Sequence, residues 1–265
     1  MNLVHKFRQQ SGLVKVLFAT LSVVVLILIS AVIYYDRINS AEDPRVLEAR
    51  TMLRQYEKGL ESDDYGTAIS LLRGMELIYA QIPGYADSFE LGVIFNNMAS
   101  VYLVKLETEL LSGHEVERSQ MLATLATAEG YSRQAIALYE GWLARMGSLS
   151  RPEVEALVRP DFPGDDPQLI EVDLERVIAK RVDDILMAQL ETRRRLSVSY
   201  ANLGVVLRYK GELEAAKKAY QTALQLWDRN YTAEDNLKIL QGLPPGKRSM
   251  LSRLFPPERS EDQKQ

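Results

Sequence analysis

The stretch Ser197–Asn230, SVSYANLGVVLRYKGELEAAKKAYQTALQLWDRN, decides the fold. Its length, about 34 residues, suits two short helices and the turn between them. Tyr200, Leu203, Gly204 and Leu207 make one face of a first helix, Gly211 ends it, and Ala216, Tyr220, Ala223 and Leu224 make the facing stripe of a second. Steps of three and four put such residues on one side of a helix. Gly204 and Ala216 are read as the pair at the crossing, because axes about 8 to 10 Å apart leave room for little more than a hydrogen or a methyl between them.

Outside this stretch the bounds are broad. A chain of 265 residues that is 46% hydrophobic and 26% charged supports one medium domain with additional segments. Its net charge of -4 argues against a dedicated nucleic-acid binder, which needs a clustered basic surface. Cysteine is absent, which excludes disulfides, thiolate metal sites and cysteine nucleophiles but leaves the compartment open.

The Ser197–Asn230 pattern resembles a tetratricopeptide repeat (TPR). The family's order of aromatic, Leu-Gly, aromatic, Ala, aromatic, Ala is met by Tyr200, Leu203-Gly204, Leu207, Ala216, Tyr220 and Ala223, with Leu207 in place of an aromatic and Asp228 in place of a common proline. The resemblance implies an all-α, TPR-like solenoid of helical hairpins that binds other proteins and performs no chemistry. It also implies a groove lined by the first helices, in which asparagines hold a peptide backbone or carboxylate. Asn202 and Asn97 stand two positions before Gly204 and Ala99, the small residue read as its equivalent, and Arg208 and Tyr209 lie further along the same wall. These four are the candidate binding residues, and the two amides are expected to be dispensable for folding; the alternative is that they are solvated groove residues. The basic residues of the family's carboxylate clamp are not matched.

Earlier segments fit the same plan less closely. Val46 to Leu60 and then Tyr65, Ala68, Ile69, Leu72 and Met75 read as a degenerate hairpin closed by Pro83-Gly84. Phe95, Met98, Ala99 and Tyr102 give the first-helix face of a second hairpin, and Gly130, Ala135, Tyr139, Trp142 and Leu143 its partner. Roughly 24 extra residues, spanning 105–128, separate the two, and their composition predicts longer helices rather than a loop. Ser150-Arg151-Pro152-Glu153 has the form of a capping box, Pro160 to Pro167 that of an extended connector, and Asp43-Pro44 and Asp166-Pro167 that of helix starts. Thr232 is read as the cap of a final helix that covers the last repeat with Leu237 and Leu240. The expected layout is hairpins near 44–82, 85–147 and 168–230 with a capping helix at 232–241, in a helical domain of 36–242 followed by a disordered tail, 243–265. Met250, Leu251, Leu254 and Phe255 leave open a short docking helix in that tail.

At the amino end, Val16 to Tyr35 (VLFATLSVVVLILISAVIYY) has no charge over about 20 residues, enough to span ~30 Å of hydrocarbon as a helix. A cleaved secretory signal is the competing reading, but its apolar core runs only ~7 to 15 residues and ends in a small-residue site, which Ile29-Ser30-Ala31 matches poorly. Lys6, Arg8 and Lys15 precede the span without an acid, whereas Arg37 and Arg45 follow it among acids. Basic residues favour the inner side, which predicts a single-pass inner-membrane protein with residues 1–15 in the cytoplasm and the helical domain outside it.

No constellation of reactive groups accompanies this layout. His5 and His114 are isolated, and Asp161, Asp165, Asp166 and Glu171 lack the glycine and spacing of a calcium loop. Arg193-Arg194-Arg195 is a basic run that neighbouring acids such as Glu191 are expected to offset. No catalytic residue, metal ligand, cofactor or nucleic-acid partner is assigned. The expected partners are other proteins and, through 16–35, the lipid bilayer. The function read from the sequence is a membrane-anchored scaffold for assembly of a membrane or envelope complex, with a permanent structural subunit or an accessory chaperone of a translocation apparatus left as alternatives.

Overall fold

The computed structural model describes residues 41–113, 116–244 and 246, and among them the protein is all-α with no strand. The span read at 16–35, both histidines and the chain beyond 246 lie outside the described residues. The α-helices are α1 (Leu47–Glu61), α2 (Tyr65–Gln81), α3 (Phe89–Leu111), α4 (Arg118–Met146), α5 (Arg151–Val158), α6 (Leu174–Tyr209), α7 (Leu213–Leu226) and α8 (Tyr231–Leu240), with single 3-10 turns at Pro44–Val46 and Arg159–Asp161.

Polar side chains start most of these elements, because the first N–H groups of a helix have no partner within it. Asp43 accepts the Arg45 N–H at 3.0 Å ahead of Pro44, Asp64 that of Thr67 at 3.1 Å, and Glu153 takes both the N–H and the hydroxyl of Ser150, closing the capping box. Two expected starts are corrected. Asp166 does not launch a helix: its carboxylate accepts the N–H of Gln168 two residues on, at 2.9 Å, which folds a local turn, and α6 begins only at Leu174, capped by Asp173. Thr232 does not cap α8. Asn230 does, taking the Ala233 N–H at 3.0 Å while its amide donates to the carbonyl and hydroxyl of Ser197. Gly211, at φ +83°, closes α6 by letting Glu212 N–H reach back to the Leu207 carbonyl at 2.9 Å.

Consecutive helices pair as α1/α2, α3/α4 and α6/α7; α2 packs on α3, α6 on both α3 and α4, and α8 closes against α7. One core cluster runs from α3 to α8, a second lies beneath α1 and α2, and Phe95 and Leu138 touch both. Segment 105–128 continues α3 and α4 and turns between them, so the central hairpin projects roughly 14 residues, or four turns, further on each helix than α6/α7 does beyond the matching contact.

That contact is a tyrosine ring laid on a glycine. A Cβ on Gly204 would overlap the ring of Tyr220, and a Cβ on Gly92 would overlap that of Tyr139 in the same manner. Two expectations change with this. The close neighbour of Gly204 is Tyr220 rather than Ala216, and the counterpart of Gly204 in the central hairpin is Gly92 rather than Ala99. Ala99 lies seven residues on, which returns nearly to the same side of a helix after two turns; it is buried on that stripe but not under the ring.

Both rings are fully buried and have no room to yield. Gly204→Ala and Gly92→Ala are each expected to cost about 1–3 kcal/mol by overpacking, whereas Gly130→Ala, in α4 with nothing near its missing Cβ, should stabilise by ~0.5–1 kcal/mol through helix propensity. Urea denaturation of the three variants checks the pattern, and equal effects at all three positions would refute the packing assignment.

Candidate functional site

α3 and α6 run side by side in the same direction. Arg195 lies over Phe89 with its guanidinium 5.4 Å from the ring centre, Asn202 reaches Asn96 and Ser100, and Tyr209 reaches Glu107. Midway along this seam the Asn202 amide donates to Asn96 Oδ1 at 3.1 Å and to Ser100 Oγ at 2.9 Å, and the Ser199 hydroxyl donates to the same Asn96 oxygen at 2.9 Å. Asn202 is therefore committed to joining two helices, so the expectation that it is dispensable for folding does not fit its contacts. Asn97 lies half-buried on α3 beside this cluster and takes no part in it. The register it was read to share with Asn202 disappears once Gly92 is the counterpart of Gly204, since the position two before Gly92 is Glu90.

About two turns further along α6, the Arg208 guanidinium stacks 5.0 Å from the centre of the Tyr209 ring, and its Nε is buried without a hydrogen-bonding partner. Tyr209 donates its hydroxyl to Glu107 Oε1 at 3.2 Å, tying α6 to the projecting end of α3. The structure thus brings Asn202, Arg208 and Tyr209 onto the side of α6 that meets its neighbours and leaves Asn97 apart from them.

The open face lies elsewhere, and buried arginines hold it in shape. Arg181, only 4% exposed, pairs with Glu90, donates to the Gly84 carbonyl at 3.2 Å and covers the Tyr85 ring at 4.0 Å. Burial opposes its charge, but the carboxylate of Glu90 more than compensates and leaves its pKa raised. Arg45 pairs with Asp43 at 2.9 Å, donates to the Asp161 carbonyl at 3.0 Å and stacks on Phe162, fastening the first turn to the connector before α6. Arg50 bridges Glu42 and Asp184. Sequence reasoning missed these residues, although Arg181 left a trace: a charge in the apolar stripe of Ile178, Val182 and Ile185 signals a buried ion pair.

Between α1 and the first half of α6 this arrangement leaves a cleft of about 400 Å³, walled by Arg50, Leu53 and Arg54 on one side and Asp184, Met187 and Arg195 on the other, with Phe89 and Glu90 lining it from the start of α3. A second, smaller depression of about 200 Å³ lies between α6 and the start of α8, lined by Val198, Asn202, Trp227 and Arg229. A narrow cavity of about 70 Å³ between Ser88, Trp142, Asp161 and Arg181 has room for water and not for an organic ligand. Its Asp161 carboxyl is pushed up in pKa by burial, against the pull of Arg181 and Arg45. Among the described residues no three His, Asp or Glu side chains converge to hold a metal ion. The basic run is divided by the helix: Arg194 pairs loosely with Glu191 at 3.7 Å and covers Trp227, while Arg195 turns into the larger cleft.

Comparison with family models, with curated proteins and with solved structures finds no match to this chain. Its fold and surfaces are therefore read from its own residues.

Asn202→Ala is expected to destabilise the protein by about 1–2 kcal/mol, because it removes two of the hydrogen bonds that join α6 to α3, while Asn97→Ala stays within ~0.5 kcal/mol. Arg181→Met should cost ~3–5 kcal/mol, and adding Glu90→Gln should recover part of that loss, since much of the cost is the carboxylate left behind. Thermal melts of the single variants and the double variant check both statements; an additive Arg181 and Glu90 pair would contradict the second.

Proposed function

We propose that this protein is a membrane-anchored, TPR-like scaffold whose helical domain binds other proteins during assembly of a membrane complex. The observation that carries this reading is the pair of large hairpins built on the same tyrosine-on-glycine contact and joined to a third, with a broad cleft left open between the outer two. A stack of this kind makes a wide rigid surface of the sort used for recognition. The apolar stretch 16–35 supports the anchor, and the basic residues before it support an orientation with the helical domain outside the cytoplasm. Among the described residues no helix is long and apolar enough to cross a membrane, so the anchor rests on 16–35 alone.

A permanent structural subunit of a larger complex is the second reading, and it draws on the large apolar side chains left open away from the cleft, Leu77 on α2 and Ile170 before α6. An accessory factor of a translocation apparatus would use the same surfaces as the scaffold. Solubilising the tagged full chain in mild detergent separates scaffold from subunit: the scaffold is expected to retain partners at less than one copy and to lose them between about 0.1 and 1 M salt as charges are screened, while fixed stoichiometry that survives high salt would replace it with the subunit. Alkaline carbonate should leave the full chain in the membrane pellet and extract a chain lacking residues 1–35; extraction of both would remove the anchor.

A further inference from the structure

We propose that α6 carries a docking seam for an acidic amphipathic helix of a partner protein. This names the partner chemistry within the scaffold reading above and rests on it. Met187, Leu190, Arg194 and Val198 follow one another at steps of three and four and so form one line along α6. The line starts in the larger cleft, where Met187 lies, and ends in the smaller depression, where Val198 lies; Ala201, next in the line, is buried. It is about 17 Å long, three turns of helix. Met187 is 64% exposed and Leu190 79%, consecutive apolar side chains on one line between two depressions. Repeated three-and-four spacing is the pattern into which the ridges of a second helix fit.

The charge along the borders of this line selects the partner. The carboxylates of the larger cleft are already engaged: Glu42 by Arg50, Asp184 by Arg50 and Lys180, and Glu90 by Arg181. Among the described residues, two arginines are not: Arg54 donates only to Thr51 Oγ1 at 3.0 Å, and Arg229 in the second depression meets no carboxylate. A third, Arg194, is held only loosely, 3.7 Å from Glu191. In a protein of net charge -4 this is a local positive border on an apolar line. It complements a helix whose apolar stripe is flanked by Asp and Glu. A nucleic acid fits less well, because the most exposed members of the line, Met187 and Leu190, are apolar and offer a phosphate backbone no contact. The chain's own segment around Lys247, Arg248 and Arg253 has the wrong sign.

The test places a photo-activatable amino acid at position 187 of the full chain in intact cells, with a control at position 77 on the opposite side of α2 from Tyr79, and maps the adducts by mass spectrometry. The expected result is an adduct at 187 to a segment of another protein with an excess of acidic over basic residues and a three-and-four apolar spacing. Arg54→Glu and Leu190→Glu are each expected to lower its yield about fivefold or more, and Leu190→Lys less than about twofold, since only the first two place like charge against the partner. Arg54 and Leu190 are surface positions whose replacement leaves the core untouched. The proposal is overturned by an adduct to a neutral or basic segment, to a nuclease-sensitive species, to a second copy of this chain or to its own residues 247–265, and equally by yields that do not separate Leu190→Glu from Leu190→Lys. Protein adducts at 77 with none at 187 would end the docking seam, and the salt dependence of the 77 adducts would then separate scaffold from structural subunit; absence of protein adducts at both positions would end both.

Discussion

A tyrosine ring packed against a glycine sets the distance between helices in the two largest hairpins. With no Cβ on Gly92 or Gly204, the rings of Tyr139 and Tyr220 settle against bare backbone, and each is completely buried. The remaining apolar positions of each stripe then pack at the spacing these contacts impose. The Tyr139 hydroxyl has no hydrogen-bonding partner and the Tyr220 hydroxyl no well-formed one, and each lies near an arginine of α6, Arg195 for Tyr139 and Arg208, close enough for a weak hydrogen bond, for Tyr220. Burial pushes both hydroxyl pKa values up, and the neighbouring positive charge works in the opposite direction. A buried polar group without a full partner costs free energy, so these rings are held by their fit and not by their hydroxyls. α6 supplies the arginine beside each ring and packs on α3, α4 and α7, which makes it the strut of the molecule.

The first half of that strut depends on a different kind of interaction. Beyond the start of α3 there is no paired helix to bury it along its whole length, and arginines do part of the joining: Arg181 to Glu90 and Tyr85, Arg50 to Asp184, and Arg45 to the connector that leads into α6. Buried ion pairs of this kind add little net stability compared with well-packed apolar residues, because desolvation offsets attraction. What they contribute is direction, since a guanidinium that must meet a carboxylate, a carbonyl and a ring together tolerates few placements. The shape of the larger cleft follows from that restriction, while the half-exposed Arg50 bridge at its mouth adds little rigidity.

Helices, and those caps that are strictly local, were legible in the sequence, whereas Asp166 and Thr232 carried the same cap chemistry and lost the position to Asp173 and Asn230, the latter fixed by its distant contact with Ser197. Asp43-Pro44 and the Ser150–Glu153 box announce N-termini through side chains that reach no further than three residues, and the helical composition of 105–128 was enough to exclude a loop. Register between helices was not legible. Gly92 and Ala99 occupy one stripe two turns apart, and both are small; which of them lies beneath Tyr139 depends on how far α3 and α4 project, a distance that neither helix encodes alone. The candidate site failed for the same reason. Asn202 looked like a groove residue until Asn96 and Ser100, about a hundred residues away in the chain, were seen to occupy its amide. The larger cleft gave no sequence signal, because its walls come from α1 and α6 and its charges had to be paired in space before any could be counted as spare.

The position of that cleft in the chain bears on the anchored scaffold we propose. Glu42 lies at its edge and follows Tyr35, the end of the apolar span, by only a few residues, a length of chain that reaches at most about 25 Å. A partner seated there would be held close to the point where an anchored chain leaves the bilayer, whereas the tip of the central hairpin near Leu111 belongs to helices that project four turns beyond their Gly–Tyr contact. Tethering restricts a partner's search to a small volume and raises its effective concentration, so even a modest affinity in the cleft becomes useful when the partner is itself embedded in the same membrane. Rigidity serves the same end. A cleft held open by Arg45 and Arg181 in advance would spend little further entropy on binding the partner we propose, and long-range attraction to its arginines would speed the approach of an acidic segment.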